Sequence, residues 1–329
     1  MRVRRTVSWA AVLAVLLPAA LLTLSRLFEP DDGRLVRAAS LAPLAIPLYA
    51  VLLVVALVWL VRRRRRRGRR RRSRTMFLLL AVVALAGLAA HAAWFSPLLV
   101  GSNPPAASGA EPLTVMTANL HAGRADGIDL VGIASEEGVD VLVVEEVTTR
   151  AVADMERAGV ATLFPHRVGD ASEGEGVEGL MVFSRLPLGE AVALPTVLGG
   201  WLVDVGDLSL LAVHVVGPTD AVSWRSDLDA VRRAAVAADA DLVVGDLNAT
   251  LDNRPMRLLA ADGWRSAAEL ANEGWQPTWP VIDWLGLQVP ALVQVDHVLV
   301  GRSLAALSAR TLEIPGSDHR AVVAEVARK

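Results

Sequence analysis

Cysteine is absent from this chain of 329 residues, and tyrosine and lysine occur once each, as Tyr49 and Lys329. The absence of cysteine excludes disulfides, a thiol nucleophile and metal or iron–sulfur sites built on thiolates. It does not identify the redox compartment, because proteins without disulfides also occur in oxidising spaces. The single tyrosine lies within a long apolar run, so the remainder of the chain has no phenol for catalysis.

Charge is divided unevenly along the chain. The first 100 residues contain 17 of the 33 basic residues and 3 of the 35 acidic ones, which leaves 16 basic and 32 acidic residues in 101–329. The formal charges of the two parts are therefore +14 and −16. Hydrophobic residues make up 53% of the chain and are concentrated in long runs in the first part. This division argues against a single soluble globule.

Three apolar runs approach or exceed the length of about 20 residues that crosses a bilayer. They cover about residues 7–24, 41–61 and 76–95, and they predict a three-helix transmembrane anchor over residues 1–96. Pro43 and Pro47 lie in the first half of the second run and predict a kink there. A cleaved signal peptide over residues 2–24 is an alternative. However, no small-residue cleavage site is evident, and two more apolar runs follow.

The loop between the second and third runs is dominated by arginine, which fills 11 of the 13 positions in Arg62–Arg74. Such a run also occurs in nucleic-acid-binding and nuclear-targeting segments. Between two spans, however, the positive-inside rule places it on the cytoplasmic side, where it can also hold anionic lipid headgroups. We therefore predict a multi-pass protein of the cell membrane with a cytoplasmic N-terminus and an extracytoplasmic C-terminal part.

Residues 97–112 (PLLVGSNPPAASGAEP) are rich in Pro, Gly, Ala and Ser and predict a short linker. Residues 113–329 are numerous enough for one α/β domain. Helical patterns over Ile128–Glu137 and Ala221–Ala238 alternate there with short apolar runs typical of buried strands. The predicted strands are Thr114–Ala118, Asp140–Glu145, Leu180–Ser184, Leu208–Val213, Leu242–Gly245, Val293–Val300 and Ala321–Val326.

Polar residues collect at the ends of these predicted strands, which is where catalytic side chains lie in layered α/β folds. Taken singly, each has a structural explanation, such as a turn or a helix cap. Their order along the chain favours catalysis, because chance assembly of the whole set is improbable. The set comprises Asn119, Glu146, His214, Asp246, Asn248, Asp296, Asp318 and His319.

These motifs resemble those of the endonuclease/exonuclease/phosphatase superfamily, the metal-dependent phosphoesterases related to DNase I, sphingomyelinases and inositol phosphatases. TANLH and DVLVVEEV resemble the first two motifs, and FSRLPL resembles a central strand and turn. LLAVH, VVGDLNAT, VDHVLV and GSDHR resemble the later ones. The resemblance covers about residues 113–327. It implies a four-layer α/β sandwich of the DNase I type behind the membrane anchor.

The resemblance implies a metal site centred on Glu146. Asn119 is expected near the metal, and Asp318 either joins the metal shell or positions His319. Oxygen ligands in a chain without cysteine favour Mg²⁺ or Mn²⁺, which would act as a Lewis acid on a phosphoryl oxygen.

The resemblance also implies catalytic roles. Asp246 orients and deprotonates the attacking water. His319 binds the phosphate, held in its tautomer by Asp296. Further contacts to the phosphate are expected from Asn119, Asn248 and His214. His121 and His297, which lie beside motif residues, are predicted to be structural.

Three features depart from the family pattern. Glu145 stands where members often have Gln, which changes the local charge. Arg320–Ala321 stands where many members have Pro. Neither change removes a catalytic group. Some members contact the phosphate through tyrosine, and another residue must serve that purpose here.

The charge of the C-terminal part argues against nucleic acid as substrate. Nucleases neutralise phosphates with Lys and Arg, whereas this part is strongly acidic, with one lysine and no basic run. A small or lipid-linked phosphoester is therefore favoured. The segment Trp275–Leu292 contains three Trp and several aliphatic residues. It is either an apolar lip suited to a bilayer interface or an ordinary loop that covers the core.

The combination of membrane spans and an outward phosphoesterase domain resembles the VanJ-type group, which is linked to teicoplanin resistance in Gram-positive actinobacteria. That resemblance implies hydrolysis of undecaprenyl pyrophosphate or a related lipid-linked cell-wall carrier, with membrane lipids as partners. Two hypotheses remain beside it, an extracytoplasmic nuclease or nucleotidase and a non-catalytic membrane scaffold. The intact D-x-N and SDH motifs argue against the scaffold.

Overall fold

A computed structural model of the protein describes residues 2–28, 31–64, 71–101, 103–284 and 287–329. Side chains are described for 9–28, 31–62, 74–101, 103–281 and 289–329. Residues 65–70 of the arginine-rich loop lie outside the described chain, and the side chains of 63–73 and of 282–288 in the tryptophan-containing segment are not described. The chain divides into two compact units, Met1–Ser96 and Pro97–Lys329.

Helices form the first unit. Three of them contain segments long and apolar enough to cross a membrane, at Trp9–Phe28, Ala42–Arg62 and Arg74–Leu98. The three apolar runs of the sequence are therefore confirmed as candidate membrane helices. The helices are α1 (Arg2–Phe28), α2 (Gly33–Ser40), α3 (Ala45–Arg64) and α4 (Arg71–Phe95).

The two prolines of the second apolar run lie at the start of a helix. Pro43 belongs to a 3-10 turn at Ala42–Leu44, and Pro47 is the third residue of α3. Amides in the first turn of a helix have no acceptor within the helix, so proline is tolerated there. The predicted kink is therefore wrong, because the α-helix begins at Ala45.

The single tyrosine is used for packing in the first unit. Tyr49 is buried, and its hydroxyl lies 2.8 Å from Oγ1 of Thr23, which in turn lies 3.0 Å from Nε2 of His91. Gly87 leaves room for the ring, because an added Cβ there would lie 2.6 Å from it. Polar side chains thus bond to one another inside an apolar bundle, which satisfies groups that lipid cannot.

The second unit contains strands and helices in alternation. Its helices are α5 (Gly127–Glu136), α6 (Thr149–Arg157), α7 (Val160–Leu163), α8 (Ala221–Ala238), α9 (Arg254–Asp262) and α10 (Ala267–Ala271). Its strands are β1 (Leu113–Asn119), β2 (Val141–Glu145), β3 (His166–Asp170), β4 (Leu180–Ser184), β5 (Val192–Ala193), β6 (Gly200–Val205), β7 (Leu208–His214), β8 (Leu242–Asp246), β9 (Arg265–Ser266), β10 (Ile282–Trp284), β11 (Leu287–Val289), β12 (Asp296–Val300), β13 (Leu304–Glu313) and β14 (Arg320–Arg328).

Two six-stranded sheets pack face to face in this unit. Their strand orders are β13-β14-β1-β2-β4-β3 and β5-β6-β7-β8-β12-β9. Each sheet has one parallel pair at its centre, β1 with β2 and β7 with β8, and α5 and α8 make the crossovers. The fold is a mixed α/β sandwich of two sheets, as the sequence predicted.

The core between the sheets is built from aliphatic side chains of both. Val115 and Val143 of the first sheet belong to one buried cluster with Leu210 and Val244 of the second. On its outer face the first sheet packs against α5 and α6 in a second cluster. Central strands buried on both faces are continuous apolar runs, and for this reason β1, β2, β4, β7 and β8 could be predicted.

Residues 97–112 are attached to the second unit by hydrogen bonds. The Leu98 carbonyl accepts from the Gly274 amide at 2.9 Å, and the Ala107 amide donates to the Arg328 carbonyl at 2.8 Å. Asn103 also donates from its side chain to the Ala306 carbonyl. The segment predicted as a linker therefore follows the surface of the domain at several points.

The end of β8 requires glycine. Gly245 has φ of 140°, and an added Cβ would lie 1.9 Å from the Val213 carbonyl oxygen. We expect Gly245→Ala to lower the free energy of unfolding by about 3 kcal/mol, because overpacking costs about 1–3 kcal/mol and a side chain at positive φ adds about 1–2 kcal/mol. The melting temperature of the full chain in detergent measures this loss.

Gly132 provides the matched control. It lies within α5, and an added Cβ would have no neighbour within 4 Å. Gly132→Ala is expected to stabilise the domain by about 0.5–1 kcal/mol, since alanine favours a helix over glycine. Equal melting temperatures for the two variants would contradict the close approach of β8 to β7.

Candidate active site

The candidate site lies where the parallel strands of both sheets end. Asn119 is opposite Glu145 in the pair β1–β2, and His214 is opposite Asp246 in the pair β7–β8. β12 runs antiparallel to β8 and places Asp296 opposite Asp246. Ligands bind beyond the carboxyl ends of such strands. The two sheets thus bring residues that are more than 100 positions apart in sequence to one edge.

Asn119 is the central donor of the site. Its Nδ2 lies 3.2 Å from Oε1 of Glu146 and 3.2 Å from Oδ2 of Asp246. Its Oδ1 accepts the His121 amide at 2.9 Å, which orients the NH₂ group toward the two carboxylates. The side chain is buried. One amide group therefore links a carboxylate of each sheet.

Left-handed backbone is concentrated here. Six non-glycine residues of the described chain have positive φ, and the four at the site are His121, Ala122, Glu146 and Asn248. Such conformations cost about 1–3 kcal/mol each and persist where the surrounding structure fixes them, often at functional sites. Glu146 is one of these residues. Its Oε2 accepts the Ala122 amide at 2.6 Å, and 17% of its side-chain surface is exposed.

Asp246 and Asn248 form a tight turn after β8. Oδ1 of Asp246 accepts the Asn248 amide at 2.8 Å, and its Oδ2 lies 3.3 Å from Nδ2 of Asn248. Nδ2 of Asn248 also donates to the Val215 carbonyl at 2.9 Å. Burial, and then the charge of Asp296, raise the pKa of Asp246. The rise makes the carboxylate a stronger base once it has lost its proton, and the charge of His319, which lowers this pKa, favours that loss.

Asp296 and His319 form a buried pair. Nδ1 of His319 lies 2.9 Å from Oδ2 of Asp296 and 4.0 Å from Oδ2 of Asp246. Ser317 fixes the backbone, because its Oγ accepts the His319 amide and donates to the Asn119 carbonyl. Burial opposes the charged imidazole, but the charge and hydrogen bond of Asp296 raise its pKa. His319 is therefore a cation at the floor of the site.

His214 faces the same carboxylates from the other side. Its Nε2 lies 3.8 Å from Oε1 of Glu146 and 3.9 Å from Oδ2 of Asp246. Burial, and then the charge of His319, lower the pKa of His214 to about 4. The ring is therefore neutral at neutral pH.

Asp318 is the predicted residue that lies apart from this group. Its Oδ1 is 3.5 Å from Nδ1 of His121, and its Oδ2 accepts from Nε1 of Trp279 at 3.4 Å. About a third of each side chain of the pair Asp318 and His121 is exposed. His121, which was predicted to be structural, therefore lies at the mouth of the site. His297 is buried and bonded to the Ala249 carbonyl at 2.8 Å, in agreement with a structural role.

Glu145 is a further buried acid, beside Asp246 and Asp296, and the sequence did not assign it to the site. Its Oε1 accepts from Oγ1 of Thr117 at 2.6 Å, and its Oε2 has no partner among the described residues. Burial raises the pKa of Glu145 well above its usual value. The hydrogen bond from Thr117 opposes this rise, and the charges of Asp296 and Asp246 add to it. Glu145 is thus a neutral carboxyl group between the sheets.

The arrangement of these residues is matched by a known family. The profile of the Endonuclease/Exonuclease/phosphatase family matches residues 116–319, which is more than half of the chain. The chain belongs to this family. No curated protein matches the sequence. Membership in the family is consistent with phosphoester hydrolysis.

Solved structures of the family share the fold of the second unit. A family protein from Bacteroides thetaiotaomicron is 14% identical with a TM-score of 0.51, covering 67% of this chain and 99% of its own. D. rerio TDP2, complexed with a single-strand DNA product, is 12% identical with a TM-score of 0.53, covering 66% and 99%. The 3′ phosphatase NExo from Neisseria, bound to a product DNA hairpin, is 16% identical with a TM-score of 0.52, covering 64% and 98%.

The site also fits the divalent metal on which family members typically depend. Within the described chain, the contacts of Glu146 are with neutral donors, namely Asn119, the Ala122 amide and neutral His214. The charge of Glu146 is thus not balanced by Arg or Lys among these contacts. Hard oxygen donors with unbalanced negative charge are suited to Mg²⁺ or Mn²⁺. Glu146 on the open side, with Asp318 and His121 at the mouth, would hold the ion.

A second group of potential ligands is better explained as a proton-sharing group. Ligand atoms of Asp246, Asp296 and His319 lie within 4.8 Å of one another. However, Nδ1 of His319 is engaged in the 2.9 Å hydrogen bond to Asp296, and a metal ion would have to replace that proton. All three side chains are buried.

The neutral state of Glu145 predicts a pH-dependent stability. In the folded protein Glu145 keeps a proton that it loses above pH 4.5 in the unfolded chain. The free energy of unfolding therefore falls as the pH rises from 4.5 toward the higher pKa of Glu145 in the folded state. The slope for one such group is about 1.4 kcal/mol per pH unit. Glu145→Gln preserves the shape and removes the titration. We expect the melting temperature of this variant, relative to the unmodified protein, to rise with pH.

Melting temperatures measured between about pH 5 and 8 in detergent test this expectation. Glu136→Gln is the control, because it makes the same change at an exposed position of α5. Parallel curves for Glu145→Gln and the unmodified protein would show that Glu145 is ionised in the folded state.

Proposed function

We propose that the protein is a membrane-anchored, divalent-metal-dependent phosphatase with an extracytoplasmic active site that hydrolyses lipid-linked pyrophosphate such as undecaprenyl pyrophosphate. The observation that carries the proposal is the convergence of two carboxylates, two amides and two histidines around Asn119 in a chain that begins with three apolar helices. The substrate and a role in cell-wall metabolism or glycopeptide resistance rest on the resemblance to the VanJ-type group.

The proposed catalytic roles follow from the hydrogen bonds. Asp246 accepts the proton of the attacking water, because its pKa is raised and Asn119 and Asn248 orient its oxygens. His319, kept protonated by Asp296, binds a phosphoryl oxygen as negative charge develops. When bound, the metal supplies Lewis-acid polarisation of the phosphoryl group.

The remaining side chains orient the phosphate. Neutral His214 offers Nε2 to a second phosphoryl oxygen, beside the carboxylates of Glu146 and Asp246. The amide groups of Asn119 and Asn248 add donors without charge. Glu146 holds the metal from the open side. Asp318, whose Oδ1 lies 3.5 Å from Nδ1 of His121, would either join the metal ligands from the mouth of the site or position His319.

The electrostatics of the domain support a lipid-linked substrate over DNA. Residues 101–329 contain 16 basic and 32 acidic residues, and DNA binding depends on neutralising phosphates along an extended strand. One arginine lies at the mouth of the site. Nη1 of Arg124 is 3.2 Å from Nε2 of His121. A substrate that presents one or two phosphates requires far less neutralisation than a duplex.

A nuclease or nucleotidase on the same side of the membrane is the second candidate. It is favoured by the two solved relatives that hold DNA, although their identity of 12% and 16% to this chain shows the fold alone. The catalytic residues would be the same in either case. Substrate assays distinguish the two candidates.

The substrate assay uses the full chain in detergent with Mg²⁺ or Mn²⁺, and offers undecaprenyl pyrophosphate, plasmid DNA and a nucleotide in parallel. We expect phosphate release from the lipid, and loss of that release on chelation. Asp246→Asn is expected to lower kcat by about 10²–10⁴-fold, because the general base is lost while the shape is kept. Phosphate release and single-turnover kinetics measure this loss.

Asp204→Asn is the control, since it makes the same change at an exposed position of β6. Turnover of DNA or nucleotide with no lipid turnover would support the second candidate. Full activity of Asp246→Asn would contradict the assignment of the base. Absence of turnover on every substrate, in a protein that binds Mg²⁺, would contradict both candidates.

Membrane orientation is tested with single cysteines, because the chain has none of its own. Val222→Cys lies at an exposed position of α8 and is expected to react with a membrane-impermeant maleimide in intact cells. Ser73→Cys lies at the start of α4, within the arginine-rich run, and is expected to react only after permeabilisation. The reverse pattern would place the active site in the cytoplasm.

A further inference from the structure

A row of exposed apolar side chains borders the mouth of the site. Trp275 and Trp279 are 38% and 42% exposed, and Val100 is 82% exposed. Leu99 and Leu292 are also exposed. Large apolar groups on the surface of a domain mark interaction sites when they occur together. We call this set, Leu99, Val100, Trp275, Trp279 and Leu292, the apolar rim.

Hydrogen bonds hold residues 98–101 against the segment that precedes Trp275. The Gly274 amide donates to the Leu98 carbonyl at 2.9 Å, and the Gly101 amide donates to Oδ1 of Asn272. An added Cβ at Gly274 would lie 3.6 Å from Cδ2 of Leu99, so the Leu99 side chain lies over Gly274. Residues 98–101 therefore run beside the segment that leads into Trp275.

The other end of the rim contacts the active site. Nε1 of Trp279 donates to Oδ2 of Asp318 at 3.4 Å, and the Trp279 ring centroid is 6.4 Å from that of His319. The amides of Leu292 and Val293 both donate to the Trp279 carbonyl at 2.9 Å. The rim therefore extends from Val100 to the mouth of the site.

The rim is joined to the end of a candidate membrane span. By hydropathy the third span covers Arg74–Leu98, and Leu98 is the residue whose carbonyl bonds to Gly274. Leu99 and Val100 follow it directly. The candidate span therefore continues in sequence directly into the rim, with Leu98 bonded to Gly274.

We propose that the apolar rim lies in the outer interface of the same bilayer that anchors the chain, so that a phosphate at headgroup level enters the site directly from the membrane. This inference rests on the proposed extracytoplasmic orientation. Trp is enriched at the level of the headgroups, because its ring is apolar and its N–H is polar. Val100, Leu99 and Leu292 add apolar surface of the kind that interfacial segments bury.

Trp279 connects the apolar rim to the choice of substrate. Its ring lies on the apolar rim while its Nε1 bonds to Asp318 at the mouth. A lipid whose phosphate is bound near His319 would leave its hydrocarbon chain along this surface and in the bilayer. The rim therefore favours a long-chain phosphoester held in a membrane over the same phosphate free in water.

The bilayer contact is tested without reference to activity. Val100→Cys and Trp275→Cys are labelled with an environment-sensitive fluorophore in the full chain, which has no other cysteine, and reconstituted in phosphatidylcholine–phosphatidylglycerol vesicles. Val236→Cys is the matched control. Val236 is exposed near the C-terminus of α8, which is the end of the helix away from His214 and Asp246. We expect lipids carrying a nitroxide on the acyl chain to quench the first two labels and to leave the third unchanged.

Other results of this experiment would overturn the inference. Equal quenching of labels at 100, 275 and 236 by iodide in the water, with no quenching by lipid nitroxides, would show a rim exposed to solvent. Protection from iodide that grows with protein concentration, again with no lipid quenching, would show that a second copy of the chain covers the rim.

Activity provides an independent comparison. Val100→Ser combined with Trp275→Ser is expected to lower turnover of undecaprenyl pyrophosphate in vesicles about tenfold relative to turnover of bis(4-nitrophenyl) phosphate in water, which corresponds to about 1.4 kcal/mol. Val236→Ser is expected to leave this ratio unchanged. An unchanged ratio in the double variant would contradict a role in substrate access. If the unmodified protein does not hydrolyse the lipid, the proposed function fails, and lipid quenching still decides whether the rim contacts the bilayer.

Discussion

One amide group, Nδ2 of Asn119, donates to a carboxylate from each of the two sheets, and the geometry of the site depends on it. Glu146 follows β2 of the first sheet, and Asp246 ends β8 of the second. Two negative groups this close would repel each other without a shared donor. The carbonyl of the same residue accepts from Ser317, which in turn fixes the His319 backbone. The relative position of the sheets and the position of the catalytic groups are therefore set together.

Burial decides which of the site's acids are charged. Glu145 is completely buried and neutral, whereas Asp296 is buried beside His319, whose positive charge it stabilises. Glu146 is partly exposed and lacks a basic partner in the described chain. Negative charge thus increases from the core toward the open side, where a divalent cation would be bound.

The segment that follows the third apolar helix is part of the surface of the second unit. Residues after the third apolar helix hydrogen-bond to the domain at Gly274 and Arg328, so they form part of its surface. A free linker would allow the site to sample many orientations. Here the segment that leaves the span lies beside Gly274, at one end of the apolar rim. The bilayer contact proposed for this rim would favour a substrate that is itself confined to the membrane.

The sequence by itself determined the candidate membrane helices, the central strands and the motif residues. Each of these is a local signal, either an apolar run of sufficient length or a polar residue placed directly after a buried strand. The tertiary structure alone decided the position of His121 at the mouth, the neutral state of Glu145 and the separation of Asp318 from the central group. These depend on left-handed backbone, on burial between two sheets and on contacts with Trp279, which pair residues far apart in the chain. The edge strand β13 also escaped prediction, because its half-exposed pattern LAALSARTLE lacks the continuous apolar run of a central strand.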